Sequence, residues 1–489
     1  MKQNIAVVGA GISGLCSGLA LAARGNFVTI YERDVEPPEG GADQAFFEWN
    51  RRGAAQFRHP HVFLAAICNI LEKNYPDLIE QFWAAGARKL SFKDMIPPEL
   101  LSQYEPHPSD QDMWMLMCRR ATMETVLRRY VESKTNVSIN NTSNIVGITT
   151  KKNSGRDAIT VNGLKVQISR GEIEEISHDV VVDASGRGTK FPSWLEALGP
   201  KVEIEDDDAN IVYYTRHYRL MPGEEEPSRH GKDRSAGDLG YIKYGVFPGD
   251  NGHFAVIICL PNHETVLREA IKDPTQFDEI CNAIPGLTPW VNSSKSTPTT
   301  PSFGFGDIHA TWRHYVNNGI PLALNFFAVG DSAVRTNPLY GRGCSTGSIH
   351  AHLLARVIYE IEDPVERATK FDAETERELR PIFTASLNED KQGIKRAIAV
   401  FKGKNLEKTD GLKKWLKAAF GDAINSAAGE QLHVLRGAMR TFNLLEKPGA
   451  FLKDKKIKWT VIKYFFRGRT KNSKARLQRG PTREQMLDN

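Results

Sequence analysis

Short apolar runs that stop abruptly at a glycine or an acid are the most regular feature of this chain. Residues 4–9, Asn-Ile-Ala-Val-Val-Gly, read as a buried strand. Gly9-Ala-Gly11-Ile-Ser-Gly14 then leads into a segment with Leu15, Leu19, Leu21 and Ala22 at near-helical spacing. A second β-type run, Phe27-Val-Thr-Ile-Tyr31, ends at Glu32. The rhythm returns at Val180–Asp183, followed by Ala-Ser-Gly186-Arg187-Gly188. It returns again at Phe326–Val329, followed by Gly330-Asp331, Asn337-Pro338 and Gly341-Arg342-Gly343. After the last glycine, Ile349, Leu353, Leu354 and Val357 mark one face of a helix. Strand, turn, helix and strand in this order predict an α/β fold built on a Rossmann-like βαβ unit.

Between these corners the pattern changes. Residues 62–75 carry helical periodicity, and residues 117–129 read as a helix start with Arg119 and Arg120 at its first turn. Residues 137–148 and 158–168 read as strands. Residues 195–305 are β-rich, with aromatics on both faces of runs such as Ile211–Leu220 and Phe254–Leu260, and with short helices over Thr265–Ile271 and Thr275–Ile284. On the strand from Ile211, period-two alternation puts Tyr214, Arg216 and Tyr218 on one face and Tyr213, Thr215 and His217 on the other. The pattern does not say which face looks into a chamber; Tyr244 is a further candidate. The charge runs Glu203–Asp208 and Glu224–Glu226 read as solvated loops. Past residue 350 the chain reads as helical through Leu354–Ile361 and Phe371–Arg380 to Gln431–Leu445. The predicted layout is a discontinuous dinucleotide-binding domain (1–194 and 306–360), an inserted β-sheet substrate domain (195–305), a helical C-terminal region (361–450) and a basic tail (451–489).

Composition adds limits. The 489 residues are 40% hydrophobic and 25% charged, enough for two or three domains. The net charge of +5 is concentrated: residues 451–489 hold twelve Lys or Arg against Asp454, Glu484 and Asp488, which leaves the rest of the chain slightly acidic. The main body is therefore not expected to bind nucleic acid. Six scattered cysteines without metal-ligand spacing fit a reduced protein with no structural metal, and the opening residues run directly into a strand pattern, so a cytoplasmic protein without a signal peptide is expected. The stretch Lys456-Ile-Lys-Trp459-Thr-Val-Ile-Lys-Tyr464-Phe-Phe-Arg467 has two readings, a packed helix before a disordered basic end or a peripheral contact with an anionic membrane surface.

The chemistry sits in the glycine corners. Gly9 permits a tight turn, Gly11 lets the backbone approach a pyrophosphate, and Gly14 allows close helix–strand packing. Glu32, eighteen residues past Gly14, is placed for the adenosine ribose. An acid and a glycine-opened helix some 300 residues later argue for FAD over NAD, because FAD is long enough to need a second set of contacts. Asp331 suits hydroxyls of a ribityl chain, and the Gly341/Gly343 helix start favours an anionic end.

Taken together, Gly9-x-Gly11-x-x-Gly14 with Glu32, Asp183-Ala-Ser-Gly186-Arg187-Gly188, and Gly330-Asp331 with Asn337-Pro338 and Gly341-x-Gly343 resemble the FAD-dependent monooxygenase superfamily of aromatic hydroxylases, flavin epoxidases and flavin halogenases. Arg58-His59-Pro-His61, Arg120-x-x-x-Glu124 and Phe247-Pro-Gly-Asp250-Asn-Gly252 resemble secondary features of a bacterial hydroxylase/epoxidase subgroup. The resemblance implies FAD held by Gly9, Gly11, Gly14, Glu32, Arg33, Arg58, Arg120, Asp183, Gly186, Arg187, Gly330, Asp331, Pro338, Gly341 and Gly343. It gives His59 and His61 as candidate proton-handling or substrate-binding residues, the equal alternative being that they pack and hydrogen-bond their loop, and no metal. NAD(P)H is the implied electron donor, directly or through a separate flavin reductase. The implied activity is hydroxylation or epoxidation of a hydrophobic small molecule through a flavin C4a-hydroperoxide. A flavin halogenase, a prenyl-chain reductase and a flavin-bound interaction protein remain alternatives; the Trp-x-Trp-x-Ile-Pro motif of one halogenase branch is absent. Two cations depart from the pattern: Arg119 stands where a small hydroxyl residue is expected, and Arg342, where a neutral residue is common, is read as solvated, with tuning of the flavin charge or of an acidic substrate as the alternative.

Overall fold

Asn4–Val8 (β1) is apolar from Ile5 onward because both of its faces are covered. Ile5 and Val7 pack toward Ile12–Ala22 (α1), while Ala6 and Val8 point to the opposite layer. In this computed structural model, which describes residues 2–151, 159–169, 171–228, 233–403, 411–473 and 480–488, β1 is the middle strand of a five-stranded sheet. Its neighbours are Phe27–Tyr31 (β2) on one side and Val180–Asp183 (β4) on the other. Val137–Asn140 (β3) extends the sheet beyond β2, and Phe326–Ala328 extends it beyond β4. Every pairing is parallel, with Val8 opposite Tyr31 and Asp183, and Ala328 opposite Asp183. The residues that follow β1, β2, β4 and Phe326–Ala328 therefore emerge together at the carboxyl edge of the sheet.

Arg120–Glu132 (α2) packs beside α1. Ile211–Leu220 (β5) pairs antiparallel with His253–Pro261, which in turn pairs with Lys243–Pro248. Ser296–Pro298 and Phe303–Phe305 lie along the other edge of β5. One face of this second sheet, with Tyr214, Tyr218 and Tyr244, is buried under the helices Thr265–Ala270 and Pro274–Asn282. The other face, with Tyr213, turns toward the first sheet. This answers the alternation left open in the sequence.

Three local expectations are corrected. Glu203–Asp208 is an edge strand paired with His309–His314, and not a solvated loop. Its repulsion is offset by Arg380 and Lys391, and His309 and His314 hydrogen-bond Asp206 and Glu205, none of them near it in sequence. The helical stretch read over Phe371–Arg380 is part of a longer helix, Pro364 to Phe401 (α4). Pro381 costs it a backbone hydrogen bond, and the burial of Leu379, Ile382 and Phe383 against Trp312 offsets that loss. The packed helix expected in the tail is present, Lys455–Arg467 against Leu412–Glu430, but Arg469–Ser473 and Arg483–Leu487 are helical where a disordered end was expected, and Met486 joins the core of the second sheet. Ala158 and residues 474–479 lie outside the described residues. No helix among the described residues is long and apolar enough to cross a membrane.

Candidate functional site

The carboxyl edge of the parallel sheet opens into a cavity of about 600 Å³. Gly9 leaves β1 with φ +104°, and a side chain there would strike the Ala184 carbonyl. A Cβ on Gly14 would lie 1.8 Å from the Gly9 carbonyl oxygen, so only glycine lets α1 start this close to the strand. Gly11, by contrast, faces open space. It is the N-cap residue of α1 and supplies no side-chain cap, so the first N–H groups of the helix point into the cavity. Gly343–Glu360 (α3) begins in the same way, with no side-chain cap from Arg342 and with Gly343 and Cys344 lining the cavity. Two uncapped helix N-termini thus meet in one chamber. Arg33, Arg52, Arg187, Lys190 and Arg335 also line it, against Glu32 and Asp331. That balance suits a ligand with an anionic middle.

The wall nearest β2 is a buried ion cluster. Glu32 accepts from the Ala10 N–H at 2.8 Å and the Asp34 N–H at 2.9 Å, and pairs with Arg51 at 3.0 Å. Arg51 also bonds Asp34, Glu124 of α2 and the Ala10 carbonyl. Three of roughly four acceptor positions on Glu32 are taken, which leaves room for one hydroxyl. Arg120 opens α2 with its guanidinium between Glu124 (2.5 Å) and His61 Nε2 (2.7 Å). Since a guanidinium only donates, Nε2 of His61 is the acceptor and its Nδ1–H donates to the His59 carbonyl. Burial and the Arg120 charge push the His61 pKa well below its usual value, so His61 is neutral.

The second sheet forms the roof. Tyr213, Phe247, Ile257 and Phe305 line it. His59 sits under Phe305 with Nδ1 2.9 Å from Thr215 Oγ1, and burial lowers its pKa to about 4. Asn337 joins three elements: its amide oxygen accepts from the Tyr213 hydroxyl and the Leu339 N–H, and its amide nitrogen donates to Asp390 of α4 at 2.7 Å. Leu339 borders both the main cavity and a second one of about 310 Å³, whose walls include Ile211, Ile242, Ile394 and Ala397, with Lys243, Asp238, His263 and Asp390 among its polar groups.

Of the residues singled out in the sequence, Gly9, Gly11, Glu32, Arg33, His59, His61, Arg120, Gly186, Arg187, Asp331, Pro338, Gly341 and Gly343 line the main cavity. Gly14 and Gly330 stand behind it, each in a place where a side chain would collide. Asp331 is held among Arg335, Arg120, Arg313 and Arg187, which oppose the upward pKa shift that burial imposes. Arg58 and Asp183 do not line the cavity. Arg58 turns away, donating to the Phe46 and Phe47 carbonyls and stacking on Phe303. Asp183 is fully buried and accepts from Ser185, Thr189 and Ser332, so it braces the second corner against the third without facing the cavity. Arg342 is not solvated either: it bonds Ser386 and Glu389 of α4. Arg119 is buried against Asp250 and Asp43, which ties the start of α2 to the turn at Asp250. Arg51, Tyr213 and Thr215 carry site geometry that no local motif announced, and Asn337 was marked only as part of the third motif, without its bridging role. Only the side-chain alternation along β5 pointed to two of them.

With its parallel sheet, glycine corners and roofing antiparallel sheet, the chain shares the fold of solved flavin-dependent monooxygenases and halogenases. The flavin-dependent brominase Bmp2 superposes with a TM-score of 0.61 over 96% of this chain and 100% of its own, at 13% sequence identity. PqsL, described as a probable FAD-dependent monooxygenase from Pseudomonas aeruginosa, gives 0.55 over 82% and 100% at 14% identity. OxyS, an anhydrotetracycline hydroxylase from Streptomyces rimosus, gives 0.56 over 91% and 76% at 16%. In sequence, the chain is similar to Protein Rv3254 of Mycobacterium tuberculosis, 28% identical over 375 residues that make up 73% of each chain. No protein-family model matches the chain.

Proposed function

We propose that this protein is an FAD-dependent monooxygenase that adds one oxygen atom from O2 to a hydrophobic small molecule by hydroxylation or epoxidation. NAD(P)H supplies the electrons, directly or through a flavin reductase. The observation that carries the reading is the single cavity on which Gly9–Gly11, Arg120, Asp331 and Gly341–Gly343 converge. The α1 N-terminus and the cavity arginines suit the diphosphate, the remaining acceptor of Glu32 suits the adenosine ribose, and Asp331 with Arg120 suits the ribityl chain. FAD, when bound, supplies the redox chemistry and the activation of O2.

The protein's own groups do the rest. The N-terminus of α3 stabilises negative charge at the nearby edge of the ligand. Tyr213, Phe247, Ile257, Phe305 and Leu339 exclude water and favour an apolar substrate. His61, neutral and anchored at both ring nitrogens, positions Arg120. His59 is neutral at pH 7, and its Nε2 has no hydrogen-bond partner among the described residues, which leaves that atom to donate to or accept from a bound substrate.

Halogenation is the second reading, favoured by the superposition on a brominase over nearly the whole chain. The test is turnover with NADPH, a flavin reductase and isotopically labelled O2 against a panel of aromatic and prenyl compounds, with and without bromide. Label in the product supports the monooxygenase. Brominated product that requires bromide supports the halogenase. NADPH-driven turnover that saturates a double bond without label contradicts both.

A further inference from the structure

We propose that the outer face of Lys455–Arg467 (called α6 here), with the adjoining end of Leu412–Glu430 (α5), docks on an anionic lipid surface. α6 buries only one stripe: Ile457, Val461 and Tyr464 pack on Ala423, Ala427 and Val434, and Arg467 is fixed by Glu430 at 2.8 Å. At 3.6 residues per turn the opposite stripe holds Lys455, Trp459, Lys463 and Phe466. Trp459 is 70% exposed and Phe466 81% exposed. Both large aromatic rings thus stand mostly outside the packing of the helix.

The apolar surface continues beyond α6. Phe466 contacts Phe465, whose ring centroid lies 6.4 Å from that of Phe420 on α5. Phe420 and Leu416 sit one turn apart, with Trp415 and Leu412 in the turn before them, and all four are exposed. Lysines surround the patch: Lys455, Lys456, Lys458 and Lys463 on α6 and Lys413, Lys414 and Lys417 on α5 are exposed. The one acid of the α6 segment, Asp454, is occupied in capping the helix at the Ile457 N–H.

Charge decides the occupant. Aromatic rings ringed by lysine stems and ammonium groups match the boundary between acyl chains and acidic headgroups. A second copy would bring two lysine-rich faces together. The contact is peripheral, because no described helix is long and apolar enough to span a bilayer.

The test uses the full-length, flavin-loaded protein in sedimentation with phosphatidylcholine vesicles, with and without phosphatidylglycerol. Binding to the anionic vesicles should be at least ~10-fold tighter and should weaken with salt. The double variant Trp459→Ser/Phe466→Ser should lose most of that binding while keeping wild-type flavin content and thermal midpoint. Lys455→Glu/Lys463→Glu should remove the preference for phosphatidylglycerol. Equal sedimentation of wild type and the double variant overturns the proposal, as does absence of binding to anionic vesicles. Light scattering that shows a dimer dissolved by Trp459→Ser/Phe466→Ser, without vesicle binding, assigns the face to self-association and also overturns it.

Discussion

At the scale of single residues, the site depends on side chains kept in one protonation state by burial. His350 lies under the third glycine corner, where its Nδ1 accepts from the Gly330 N–H at 3.3 Å and its Nε2 lies 3.0 Å from Thr375 Oγ1. Burial lowers its pKa to about 3, and that of His59 to about 4. In the unfolded chain both take up protons near pH 6.5, while the native forms stay neutral to much lower pH. Stability from these residues is therefore complete above about pH 6.5 and is lost as pH falls toward the native values, each unit of separation being worth about 1.4 kcal/mol. Urea unfolding with FAD in excess should show the midpoint falling steadily from pH 7 to pH 4.5, and His350→Gln should flatten part of that slope. A midpoint constant over the range would contradict the buried, neutral assignment. Residue roles were legible where a backbone constraint enforces a type, as at Gly9 and Gly14. They were not legible where the partner is remote: Asp183 carries the right motif yet braces a turn, and Arg342 finds its partners on another helix.

At the scale of elements, the sequence revealed the strand–turn–helix units because each is local, and the parallel register then brings their ends together with no further signal. The orientation of β5 was hidden, because both of its faces carry aromatics and only packing under two short helices distinguishes them. The clamp between elements was hidden as well. Arg51 lies in a loop whose neighbours give no hint that it joins the end of β2, the first glycine turn and α2. Replacing it by methionine keeps the volume but strands Glu32 and Asp34 as buried carboxylates with fewer partners. Arg51→Met should cost roughly 3–5 kcal/mol of unfolding free energy and should weaken retention of FAD. Chemical denaturation and flavin content of the purified variant check both effects. A loss below about 1 kcal/mol would mean that the cluster is hydrated and not a clamp.

At the scale of the whole molecule, one long helix and one buried amide hold the parts in register. Asn337 links the roof at Tyr213, the loop before α3 and Asp390 on α4, while Pro364–Phe401 reaches from the first sheet to the wall of the second cavity. Pro381 hid the full length of that helix in the sequence, and the acidic strand Glu203–Asp208 was concealed because charge compensation from distant residues leaves no local trace. The claim beneath every assignment is that corners separated by hundreds of residues close on one flavin. The direct measurement is to purify the wild-type chain from cells supplied with riboflavin, denature it, and identify any released chromophore by mass and absorbance. The account predicts FAD close to one per chain, or stoichiometric uptake when the protein is titrated with FAD. A colourless protein that takes up no added FAD would contradict it.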